Sequence, residues 1–159
     1  MEIGTTITSI TLVLICAMPF VLSSHGRRKR EKQTLNNLKQ FAYEHGHAIG
    51  NYDNCGNFII AINFDFTMVF FQNLVNGTSE YHAIPLRDVK SCLVHKNYKT
   101  IGHGKHHQQR IDQLYLYFEM KTNETQKLLF FDINENVQLS GELLVIEKWR
   151  TRINEYITK

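Results

Sequence analysis

The sequence predicts an α+β chain: an N-terminal transmembrane helix and a linker helix, then a mostly antiparallel barrel of six or seven strands closed by a C-terminal amphipathic helix. Three observations predict it. Residues 3–24 carry no charge, and 10–22 are almost wholly apolar. From residue 47 to about 133, apolar side chains recur at every second position between turn-forming residues. From about residue 139 the repeat lengthens to three and four, the period of a helix with one apolar face. The expected divisions are an anchor over 1–25, a basic juxtamembrane stretch with the linker helix over 26–46, and the barrel with its helix over 47–159.

Crossing a hydrocarbon core as a helix takes roughly 20 residues. The uncharged run reaches that length when Thr5, Thr6, Thr8, Ser9 and Thr11 bond back to their own helix. The chain opens Met1-Glu2-Ile3, without the cationic start of a secretory signal, and Ile15 precedes Cys16 where lipoprotein processing needs something small. An anchor that stays in place is expected. Arg27, Arg28, Lys29, Arg30, Glu31 and Lys32 follow it directly. Basic residues hold their end of a span in the cytoplasm, so the expected placement is a single-pass protein of the cell membrane, N-terminus outside and domain cytoplasmic. The competing reading is a buried core helix followed by a solvated charge run.

The 159 residues carry a formal charge of +3, unevenly spread: residues 27–32 hold five basic and one acidic side chain, and 33–159 hold thirteen of each. A folded part that is neutral overall is not expected to bind nucleic acid, because phosphate neutralisation supplies most non-specific affinity. Cys16, Cys55 and Cys92 form no C-x-x-C pair and offer neither a zinc site nor a disulfide framework. A cytoplasmic placement keeps Cys55 and Cys92 reduced. In the reverse orientation they could pair, and the sequons Asn76-Gly77-Thr78 and Asn123-Glu124-Thr125 would matter; here they are read as chance matches on turns.

Over 29–45, Leu35, Leu38, Phe41 and Ala42 recur at helical steps with Asn36, Lys39, Gln40 and Glu44 opposite, and Gly46 ends the helix. Its apolar stripe is expected to lie on the domain that follows. A strand at 47–52, a turn at Asp53-Asn54-Cys55-Gly56 and a strand at 57–64 come next, the last with Phe58, Ile60, Ile62 and Phe64 on one face. Asp65-Phe66 turns the chain into 67–72, and Asn76-Gly77 marks a tight hairpin into 79–84. Pro85 interrupts the ladder, so a strand over 87–96 begins after a corner. Residues 97–110, with Gly102 and Gly104 and little that is apolar, are expected to form a loop. The strand over 112–120 sets Leu114, Leu116, Phe118 and Met120 on one face and Tyr115 and Tyr117 on the other, and Thr122-Asn123-Glu124 turns it into 127–133. In the closing helix, Leu139, Leu143, Ile146, Trp149, Ile153 and Tyr156 share a stripe; Ser140 is placed to cap its start, and Trp149, at its centre, is expected to be buried against the sheet.

This order of elements is similar to that of the pleckstrin-homology-like superfold. The stretch Ile84-Pro85-Leu86-Arg87-Asp88-Val89-Lys90-Ser91-Cys92 resembles the strand entry of bacterial pleckstrin-homology-like domains. With Leu38-Lys39-Gln40-Phe41-Ala42, the hairpin over 57–71, Leu139-Ser140-Gly141-Glu142-Leu143, Glu147-Lys148-Trp149 and Ile153-Asn154, the pattern resembles a family of short, membrane-anchored bacterial proteins carrying such a YcxB-like domain. The resemblance covers most of 30–158. It implies the barrel and the anchor but no role for any residue, and a fold by itself does not assign a function.

Residues 87–110 hold Arg87, Lys90, Lys96, Lys99, Lys105 and Arg110 against Asp88 alone, the one basic region in the domain. Facing a bilayer, each such cation contributes on the order of 1 kcal/mol toward an anionic leaflet. Arg27, Arg28, Lys29, Arg30, Lys90, Lys96, Lys99, Lys105 and Arg110 are therefore the candidates for contact with anionic lipid or a protein partner. The bland alternative is a strand that turns alternating cations to solvent. His103, His106 and His107 offer imidazoles to a metal, but the glycines beside them and the lack of a carboxylate or cysteine among them argue against a site. Tyr115 and Tyr117 have the character of base-stacking residues, with cross-strand packing the commoner use. No phosphate-cradling glycine loop, G-x-S-x-G or H-E-x-x-H occurs, so no enzyme and no cofactor are expected. The leading functional reading is a binding or scaffolding module at the inner membrane face. The alternatives are an accessory subunit acting through its transmembrane helix, and a metal-dependent hydrolase using the histidine loop.

Overall fold

The computed structural model describes residues 29–75, 77–101, 108–135 and 138–158. Among them no helix is long and apolar enough to cross a membrane. The expected span over 3–24, with Cys16, Arg27 and Arg28, lies outside them, as do Asn76 of the first sequon and the histidine loop with Lys105.

Helix α1 runs through the described residues from 29 to 44. The chain divides after Asn37 into two compact units. In the first, the described half of α1 exposes Lys29 and Arg30, and Thr34 Oγ1 donates to the Arg30 carbonyl at 2.9 Å. The second unit holds everything from Leu38 onward. There α1 ends as Gly46 predicts: Gly46, at φ +79°, donates its N–H to the Tyr43 carbonyl and His47 donates to that of Ala42. These two bonds satisfy carbonyls that a helix end otherwise leaves open.

Seven antiparallel strands follow: β1 Ile49–Cys55, β2 Phe58–Asn63, β3 Met68–Val75, β4 Thr78–Pro85, β5 Val89–Ile101, β6 Gln108–Met120 and β7 Thr125–Asp132. They form a four-stranded sheet in the order β1-β2-β3-β4 and a three-stranded sheet in the order β5-β6-β7. Helix α2, Glu142–Ile157, closes the domain. The chain is thus α+β with antiparallel sheets, but the expected barrel is not closed. At one corner Pro85 supplies no N–H, and a 3-10 turn, Leu86–Asp88, carries the chain from one sheet to the other. At the opposite side α2 meets both β1 and β7.

The shared core lies between the sheets. Phe58 and Phe71 from one pack against Phe130 from the other, tilted at 4.4 Å and stacked at 5.1 Å between centroids, with Leu114, Leu116, Phe118, Ile146, Trp149 and Ile153 around them. Trp149 is buried, as its place in the stripe predicts, and its indole N–H donates to Asp53 of β1 at 2.7 Å. Asn73 of β3 crosses between sheets to donate to the Leu129 carbonyl of β7 at 2.9 Å.

Five expectations are corrected. All six residues of β2 are buried, not one face of it, because Leu38 and Phe41 of α1 lie on the outer face of the four-stranded sheet with Ile59, Ala61 and Phe70. Phe64 falls beyond the strand and is 66% exposed. The first turn comes at Gly56 and Asn57, with Asp53, Asn54 and Cys55 still paired in β1. The loop expected over 97–110 is largely strand: β5 and β6 stay paired out to Ile101 and Gln108. Their polar residues reach past the core, where a two-stranded ribbon needs no apolar face. Ser140 does not cap α2; Gly141 occupies the cap position, and the buried Glu142 carboxylate accepts the Ser140 N–H instead.

Candidate functional site

The long β5–β6 hairpin distributes the candidate cations along its length rather than gathering them. Lys90 and Lys99 stand nine residues apart on β5, about 30 Å at the rise of a strand. Lys90 donates to Glu119 at 2.9 Å and Lys96 pairs with Glu147 of α2 at 3.4 Å. Arg87, beside them at the corner, lies 3.6 Å from Asp88. Three cations of the basic segment are therefore matched by acids of their own domain. Lys99 and Arg110 are the two that the structure brings together, directly opposite each other across the β5–β6 ladder. Arg27, Arg28 and Lys105 lie outside the described residues, and Lys29 and Arg30 are on α1.

The same hairpin carries an aromatic face. Because side chains alternate along a strand, Leu114, Leu116 and Phe118 point into the core, and Gln113, Tyr115, Tyr117 and Glu119 point away from it. Register places Leu93 of β5 and Lys127 of β7 on either side of Tyr117, and His95 and Leu129 on either side of Tyr115. The rings hold one another: Tyr115 meets Tyr117 edge-on at 5.9 Å, His95 lies 5.2 Å from Tyr117, and Lys127 Nζ stands 5.4 Å from the Tyr115 centroid. Burial, and the carboxylates of Asp132 and Asp112 nearby, hold the Tyr115 phenol above its usual range. Leu93 is 58% exposed. The sequence reading found the two tyrosines but missed Leu93 and Lys127, whose membership depends on cross-strand register.

The acids on this face are already engaged. Glu119 accepts from Lys90 and from the Ser91 hydroxyl, which together hold its carboxyl below the usual carboxylate range. Asp132 accepts from Gln113 at 2.8 Å and from both the backbone and side chain of Asn134. Elsewhere, a shallow cleft of about 10 Å³, open to solvent, lies between β3 and β7 beside Asn73 and Leu129; it has room for about one water molecule, far below the roughly 300–1,000 Å³ of ordinary small-molecule sites. Among the described residues no three His, Cys, Asp or Glu side chains are placed to hold a metal. Cys55 and Cys92 are free thiols. Compared with protein-family models, curated proteins and solved structures, the chain matches none.

Proposed function

We propose that the chain is a membrane-anchored, pleckstrin-homology-like binding module at the inner face of the membrane, and that the far end of its β5–β6 hairpin engages anionic lipid headgroups. The two antiparallel sheets of four and three strands, followed by a helix that touches both, support the fold half of this reading. The observation that carries the ligand half is Lys99 facing Arg110. Side by side on one face, the two side chains offer charged donors that a single anionic headgroup can accept from together. The cluster Arg27, Arg28, Lys29 and Arg30 adjoins the expected anchor in sequence and adds attraction to the same leaflet.

The test places the full chain in nanodiscs of neutral lipid, with or without anionic lipid, and follows hydrogen exchange of the β5–β6 amides. Anionic lipid should slow their exchange at low salt, and added salt should remove the effect, since surface charges are screened over about 8 Å at physiological ionic strength. The Lys99→Glu, Arg110→Glu double variant should show no response. Equal exchange in both lipids at low salt overturns the lipid reading.

A further inference from the structure

The two sheets differ in how many faces they bury. Helix α1 covers the outer face of the four-stranded sheet from Leu38 onward. On the outer face of the three-stranded sheet, register sets Leu93, Tyr115, Tyr117 and Leu129 at the centre, with Leu93 exposed and the other three half-buried. The charges there are asymmetric. Glu119 and Asp132 are satisfied by their own neighbours, whereas neither Lys127 nor Lys99 pairs with a carboxylate among the described residues. An apolar, aromatic centre flanked by Lys127 and Lys99, with Glu119 paired to Lys90 and Asp132 hydrogen-bonded by Gln113 and Asn134, is complementary to an apolar ligand whose carboxylates reach those two lysines.

Spacing sets the ligand's shape. Lys127 shares a row with Tyr117 and Leu93, and Lys99 lies six residues farther along β5, about 20 Å at the strand rise. A folded headgroup is too small to touch both, and a nucleic acid strand draws its affinity from more phosphate contacts than Lys127, Lys99 and the neighbouring Arg110 supply. An extended peptide of about seven residues spans the distance.

We propose that this face docks an extended acidic segment of a partner protein, with an apolar side chain seated on Leu93 and Tyr117 and carboxylates directed to Lys127 and Lys99. The proposal rests on the reading of the domain as a binding module but not on its lipid ligand.

The probe is a fluorescent heptapeptide alternating glutamate and phenylalanine, titrated by anisotropy against the full chain in neutral-lipid nanodiscs, with empty nanodiscs as the blank. Saturable binding that weakens with salt is expected. Tyr117→Ala, which removes the apolar seat, should lower affinity by about tenfold or more. Lys127→Glu should do the same and should bind the lysine-for-glutamate peptide better than the unaltered chain does. Lys127→Gln, with an unchanged Trp149 emission spectrum, separates loss of charge from loss of fold. Absence of saturable binding, equal binding by the variants, or binding of oligouridylate in place of the peptide overturns the proposal. If the peptide fails while anionic lipid still protects the hairpin, only the docking surface falls; failure of both removes the binding-module reading.

Discussion

Asn154 of α2 gives both halves of its side-chain amide to the backbone of one residue, Cys92. Its Nδ2 donates to the Cys92 carbonyl at 2.8 Å and its Oδ1 accepts the Cys92 N–H at 3.0 Å. β5 is an edge strand, and an edge presents backbone groups that would otherwise pair with another chain. Asn154 supplies one amide's worth of strand pairing from a helix.

Replacing Asn154 with leucine should therefore cost more than a surface change. Two backbone groups lose their partner, at about 1–3 kcal/mol for each group left buried and unsatisfied. Asn154→Asp keeps an acceptor for the Cys92 N–H but sets a carboxylate against the carbonyl, and it should fall between the two. Urea unfolding of the three proteins checks the order.

Cys92 itself makes stability fall with alkaline pH. Burial pushes its thiol up to about 12, against which Arg150 pulls weakly. An unfolded thiol titrates near 8.5, so between those values the unfolded chain has released a proton that the folded one keeps. The stabilisation is whole below about pH 8.5 and is lost as pH rises toward 12, by at most about 1.4 kcal/mol per pH unit. Unfolding of the chain and of Cys92→Ala from pH 8 to 10 should show the steeper decline in the chain that carries the thiol. In the fold a maleimide should modify Cys55 and spare Cys92, the Cys55 reaction being slowed because burial, Glu142 and Asp53 raise that thiol's pKa.

The β2–β3 turn holds a bulky side chain in the left-handed region: Phe66 has φ +54°. Buried Asn63 sets the turn, accepting from the N–H groups of Thr67 and Met68 at 2.8 and 3.0 Å and donating to the Thr67 hydroxyl at 2.8 Å. On the other side Gly50 brings β1 so close that a Cβ there would stand 3.2 Å from the Phe64 backbone. Phe66 is held by its stack on Tyr156 of α2, 4.6 Å between centroids. Phe66→Ala keeps the backbone cost and loses the stack, while Phe66→Gly loses the stack and relieves the cost. The glycine variant should be the more stable of the two by about 1 kcal/mol, and thermal unfolding of the pair measures the difference. Equal stability would mean that the turn carries no strain.

The strand over 112–120 was readable because one apolar face against a core imposes a period of two, that over 58–63 because a short apolar run lies between turn residues, and Trp149 because a helix stripe has a centre. The second buried face of β2 was not, since the pattern Phe58-Ile59-Ile60-Ala61-Ile62 is apolar throughout and does not say what covers it. The outer reach of the β5–β6 hairpin was hidden for the opposite reason. Lys99, Thr100 and Gln109 are polar and face polar partners, so no period shows in them, and glycines close by in sequence resemble a loop. Lys99 and Arg110 were both named as candidates, but that error concealed their pairing, because Lys99 faces Arg110 only when both strands continue to their tips. Glu142 as the receiver of the Ser140 N–H left no sequence signal distinct from an ordinary first-turn acid.

The seating of α1 on the sheet has a mechanical meaning. Tension arriving through the chain ahead of Leu38 meets Leu38, Phe41 and Ala42, packed on the face of four strands, before it reaches the edge strand β1. The load is spread as shear over a packed surface, and β1 is spared being peeled from its neighbour one hydrogen bond at a time. A force applied ahead of Leu38 therefore loads a packed face before it loads the outermost strand.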